Sequence, residues 1–159
     1  MSRGFSLIEA LVALAVLSLG LLGAAGILLG SLRDQALALR HTAAGALVAD
    51  MADRIRANPA ARELYDTGMP RATAQNCDEA APCDRARLAA HDLAAFEAGA
   101  LALLPNQDPR VSITFAPAIG PAAPDRYSLA LRWRDTRDPD TTDEVTLTLL
   151  AQSPVAGTA

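Results

Sequence analysis

The sequence predicts an α+β protein, with a long N-terminal helix packed on a three-stranded antiparallel sheet. Three observations carry this: an apolar block at the front, an i, i+3/i+4 apolar stripe continuing it, and three C-terminal stretches alternating apolar with polar residues. A chain of 159 residues suits one core. The formal charge of −4 and 4% aromatics argue against nucleic acid held by phosphate contacts or base stacking. The fourteen basic residues are all Arg and Ala is abundant, which reads as codon bias and carries no chemistry.

The first element is the front block. Phe5 to Leu32 reads FSLIEALVALAVLSLGLLGAAGILLGSL, whose only charge is Glu9. About 20 such residues at 1.5 Å each cross a bilayer core, so the block is a membrane helix or a targeting segment. A secretory signal peptide has an apolar stretch of about 7–15 residues and a small-residue cleavage site, which Ala24-Ala25-Gly26 matches only weakly. The run is too long for that reading, and an acid stands in its first turns.

Glu9 needs a reason. A carboxylate in hydrocarbon costs roughly 2.5–3.5 kcal/mol on insertion scales, and so calls for a partner. Arg3 is the only cation close in sequence. A cut after Gly4 would remove it but leave a protonated α-amine on Phe5, one helical turn from Glu9. A carboxyl that snorkels to the interface or takes up a proton is the alternative, and on the residues alone both readings stand.

Arg3-Gly4-Phe5-Ser6-Leu7-Ile8-Glu9, followed by an unbroken apolar run, resembles the class III signal of type IV pilins and type II secretion pseudopilins. The resemblance implies cleavage by a prepilin peptidase between Gly4 and Phe5 and N-methylation of Phe5. It also implies that Glu9 pairs with the N-terminus of a neighbouring subunit during assembly, which supplies the missing cation.

The helix continues past the block. Leu32, Ala36, Leu39, Ala43, Leu47, Met51 and Ile55 recur at helical spacing, with most charges on other faces. Asn58-Pro59 ends it, giving one helix from Phe5 to Asn58 of about 80 Å. A coiled coil or a plain single-span anchor is the bland reading of this stretch. Gly20, Gly23, Gly26 and Gly30 lower helix propensity but let membrane helices approach closely. Pilins of the resembled family often carry a proline here, near which the helix loosens in the filament. This chain has none before Pro59, and the glycines are expected to take its place.

Residues 60 to 87 read as irregular and hold both cysteines, Cys77 and Cys83. Two cysteines with Asp78, Asp84 and His91 nearby make a weak zinc pattern, so no metal and no cofactor is assigned. In an oxidising periplasm a Cys77–Cys83 disulfide is favoured. Arg87 to Leu104 reads as a short helix packed through Leu88, Leu93, Phe96, Leu101 and Leu104, with Pro105-Asn106 as its stop and Gly99, a poor helix former, near its last turn. The strands follow. Val111, Ile113 and Phe115 share one face, as do Tyr127, Leu129, Leu131 and Trp133, and then Val145, Leu147 and Leu149. Their apolar faces predict a meander covered by the amphipathic half of the long helix. His41 and His91 read as solvated helix residues. Arg126, Arg132 and Arg134 form a polar stripe balanced by Asp135 and nearby acids. The tail from Ala151 to Ala159 reads as frayed. No phosphate loop, nucleophile elbow or metal motif appears, and the chain is not read as an enzyme.

LSLGLLGAAG, and the stretch from His41-Thr42-Ala43-Ala44 through Ala49-Asp50-Met51 to Arg54-Ile55-Arg56-Ala57-Asn58-Pro59, are similar to the type IV pilus modification protein PilV family of minor pilins. The later half agrees only in layout, including Leu131-Arg132-Trp133-Arg134-Asp135. The resemblance implies a type IV pilin-like fold and a structural subunit that primes or modifies pilus assembly; the alternative is a type II secretion minor pseudopilin. It implies a leader at 1–4, a transmembrane and assembly segment at 5–32, an amphipathic segment at 33–58 and a periplasmic pilin domain at 59–159 holding the Cys77–Cys83 loop. Its partners would be other minor and major pilins, prepilin peptidase, the inner-membrane assembly platform and, before assembly, membrane lipid. The chain would cross the inner membrane once, N-terminus cytoplasmic and C-terminal domain periplasmic, and then enter the pilus near its tip.

Overall fold

The computed structural model describes residues 6–74, 77, 82–120, 123–134 and 140–151. Helix α1 runs Leu7–Ala57, 51 residues or about 77 Å at 1.5 Å each. It is helical throughout Gly20–Gly30, and a Cβ built on Gly20, Gly23, Gly26 or Gly30 meets nothing within 4 Å. It stops where Pro59 follows Asn58, since a residue before proline leaves the helical region. Contacts divide the chain into two compact units, Met1–Arg40 and His41–Ala159. In the first, the large apolar residues of α1 from Leu7 to Leu32 are all exposed, as is Leu39, while Leu37 is half-buried.

The second unit has its own core. Pro59–Tyr65 forms a 3-10 turn, where the sequence suggested irregular chain, and buries Ala61 and Tyr65. Helix α2, Arg85–Leu103, begins two residues before its expected start because the Asp84 side chain accepts from the Ala86 and Arg87 N–H groups. Strands β1 (Arg110–Ala116), β2 (Asp125–Arg134) and β3 (Thr142–Ala151) form an antiparallel meander in the order β1-β2-β3. The register sets Ile113 opposite Leu129 and Leu129 opposite Leu147, so the expected apolar faces fall on one side. Ala44, Val48, Met51 and Ile55 of α1 and Leu93, Phe96 and Leu104 from α2 and its cap pack with Ile113, Leu129, Leu131 and Leu149.

Two expected packing sets need correction. Leu39 of α1 is 70% exposed, and the buried stripe begins only at Ala44, continuing through Val48, Met51, Ala52 and Ile55. A row repeating every four residues drifts around the helix by about 40° per step, so it cannot stay on one face from Leu32 to Ile55. On α2, Leu101 is 61% exposed while Ala89, Leu93, Phe96, Ala100 and Leu104 form the buried line. At Gly99 the two helices come close, since a Cβ there would stand 2.9 Å from Leu47 Cδ1 of α1.

The outer edge of β1 is covered. The Thr67 N–H donates to the Ile113 carbonyl at 2.9 Å, the Thr67 hydroxyl accepts from the Ile113 N–H at 3.1 Å, and Asp66 accepts from the Phe115 N–H at 2.8 Å.

Candidate functional site on the N-terminal helix

The candidate site is the start of α1. Ser6 opens it, its carbonyl accepting from the Glu9 and Ala10 N–H groups at 3.1 and 3.2 Å. Glu9 thus lies in the first turn, where the partial positive charge of the helix terminus favours a carboxylate. It is exposed, and among the described residues no cation pairs with it. Gly4 and Phe5, the expected cleavage and methylation positions, lie outside the described residues. At 100° per residue, Gly20 and Gly23 fall within about 20° and 40° of Glu9 around the helix axis. The face that carries the carboxylate is therefore also one where another backbone can come close. One window of α1 has a mean hydropathy of 2.5 with none of it buried, which makes this helix long and apolar enough to cross a membrane.

In the second unit several buried polar side chains bond to one another across long stretches of chain. Asp92, 5% exposed, accepts from Tyr65 Oη at 2.8 Å and Arg54 Nη1 at 3.1 Å. Asn58 donates to Tyr65 Oη at 3.2 Å and to the Arg85 carbonyl at 3.1 Å, so one cluster ties the end of α1 to the 3-10 turn and α2. Burial, and then the bond to Asp92, push the Tyr65 phenol well above its ordinary range. Asp125, 1% exposed, takes a bidentate pair from Arg62 at 2.9 and 3.0 Å and the Ala118 N–H at 2.9 Å. Arg62 holds φ 35°, a strained backbone for a non-glycine residue, fixed in place by these bonds. These bonds tie the 3-10 turn to α1, α2 and β2. Sequence reasoning passed over Asn58, Arg62, Asp92 and Asp125 as a set, because the bonds that join them across elements reach 27 to 63 residues along the chain.

Cys77 and Cys83 are joined in a disulfide, with Cα atoms 5.4 Å apart, directly before the α2 cap. The Asp84 carboxyl is held below its ordinary range, chiefly by the Arg87 N–H. No cluster of three metal-ligating side chains occurs among the described residues. Arg132 and Arg134 lie exposed on the outer sheet face and pair with Glu144 at 3.0 Å and Asp108 at 3.2 Å; Asp135 lies outside the described residues. His41 is not the solvated residue expected: its ring packs 5.0 Å from that of Trp133.

Residues 1–25 match the family model of the prokaryotic N-terminal methylation motif. The motif supports a type IV pilin-like precursor, pilin or pseudopilin, and its family supplies structural subunits. It contains Glu9 and runs straight into the apolar part of α1. No curated protein and no solved structure matches the chain.

Proposed function

We propose that the chain is a minor pilin of the PilV type, a structural subunit that primes or modifies type IV pilus assembly. One observation carries the reading: the methylation motif continues without a break into an apolar helix whose large side chains from Leu7 to Leu32 are exposed. In this reading residues 1–4 are a leader that prepilin peptidase removes, and Phe5 becomes the methylated N-terminus. Residues 5–32 sit in the inner membrane before assembly, residues 33–58 carry the helix outward, and residues 59–159 form the periplasmic domain. Within a filament, the Glu9 carboxylate meets the N-terminal amine of a neighbouring subunit, and the cost of carrying it through lipid is offset there.

The N-terminal residue of the protein extracted from membranes tests the reading. N-methyl-Phe5 is expected. An intact Met1 overturns it, and a start near Gly26 restores the signal-peptide alternative. Glu9→Ala is expected to insert normally and to be lost from filaments. Co-purification with pilus or with secretion components separates the minor pilin from a type II secretion pseudopilin.

A further inference from the structure

We propose that His41, Trp133 and Asp143 form a proton-operated clasp that fastens the first packed turn of α1 to strand β3. Trp133 and Asp143 are directly opposite in the β2–β3 register and so share the inner face of the sheet. His41 lies against both: its ring centroid is 5.0 Å from that of Trp133, and its Nε2 is 3.7 Å from Asp143 Oδ2. That oxygen is buried and accepts no hydrogen bond from the described residues. A neutral imidazole at this distance leaves that oxygen without a donor. A protonated one gives it a cation and makes the contact an ion pair, in the pH range where histidine changes charge.

The two arginines that flank Trp133 are paired elsewhere. Arg132 and Arg134 flank Trp133 on β2 but point to the outer face, where they pair with Glu144 of β3 and with Asp108. On α1, Arg40 adjoins His41 and Asp34 is two turns earlier; Asp140 precedes β3. Among the described residues, His41 is the one cation within ion-pair reach of Asp143. His41 is also the first residue of the second compact unit. Acid therefore closes the clasp and pins α1 at residue 41, and alkali opens it, freeing that turn for other contacts.

The chain contains one Trp and two His, so Trp133 emission reports the clasp and His91 serves as the control. Full-length protein in detergent micelles is melted at about pH 5.5 and about pH 8, following Trp133 emission. An ion pair formed only on protonation stabilises the acid side, and for a half-exposed pair the gain in Tm is about 1–4 °C. Wild type and His91→Gln should show this gain relative to His41→Gln and Asp143→Asn, which should lack it. Acid quenching of the folded-state emission by the imidazolium should vanish in His41→Gln alone. An Asp143→Asn protein that keeps the wild-type gain, or a His91→Gln protein that loses it, overturns the proposal.

Discussion

The two parts of α1 share one backbone conformation and have opposite surroundings. From Leu7 to Leu32 its large apolar side chains are exposed, while from Ala44 to Ile55 the same helix supplies a buried stripe to a closed core. The later part is stabilised by its own chain, through Val48, Met51 and Ile55 against the sheet, and burying one Leu is worth about 1.5–3 kcal/mol. The earlier part presents an apolar surface long enough to cross a membrane, whereas the second unit buries its apolar stripe and makes long-range polar bonds of its own.

Three perturbations separate the units. The largest effect is expected from Asp92→Ala, which leaves Tyr65 Oη without its acceptor and Arg54 without its buried partner. A loss of about 2–4 kcal/mol in denaturant unfolding of the second unit is expected, with the helicity of the first unit in micelles unchanged. A loss of helicity in both would mean that the units do not behave independently.

Alkali gives the second test. Burial pushes the Tyr127 phenol from 10.0 up to about 12, and Tyr65 is raised too. Both groups bind their protons more tightly when folded, so their contribution is whole below pH 10 and is lost as pH rises from 10 towards 12. For Tyr127 this is on the order of 2 kcal/mol. The chain's two tyrosines both belong to the second unit, and tyrosinate absorbance should rise together with loss of its folded signal. Ordinary titration near pH 10 with the fold intact would refute the burial argument.

The smallest effect is the most discriminating, because one substitution should stabilise the first unit fully and the second only in part. Gly20→Ala meets no atom within 4 Å and should raise helix stability by up to about 1 kcal/mol. Gly99→Ala makes the same propensity gain but puts a Cβ 2.9 Å from Leu47 Cδ1, so crowding offsets it and the net change should be under about 0.5 kcal/mol. Circular dichroism in micelles, following both variants through a denaturant series, reads the difference.

The elements were legible wherever the signal was local. Alternation placed the inward faces of Ile113, Leu129 and Leu147 in one register row, and Pro59 marked the end of α1. The cap at Asp84 was visible as an acid before an apolar run, yet it drew attention first as a neighbour of the cysteines. What escaped were pairings at long range. Arg62 reads as one more surface Arg until the fold brings Asp125 beneath it, and Tyr65 sits in a stretch whose composition suggests a loop. Leu101 misled because leucine alone does not state its phase on a helix. Of the candidate site, the motif around Glu9 was wholly local, and the match to residues 1–25 rests on the same residues.

The short segment at Asp66 and Thr67 acts on the sheet as a stopper. By occupying the Ile113 and Phe115 amides, it blocks strand addition along that half of β1, so a sheet of this protein lengthens more readily beyond β3. Growth at one margin ends after a single addition if the added sheet is stoppered in the same way. Ribbon-like aggregation by endless strand pairing is thereby disfavoured, and long-range polymerisation is left to the helices.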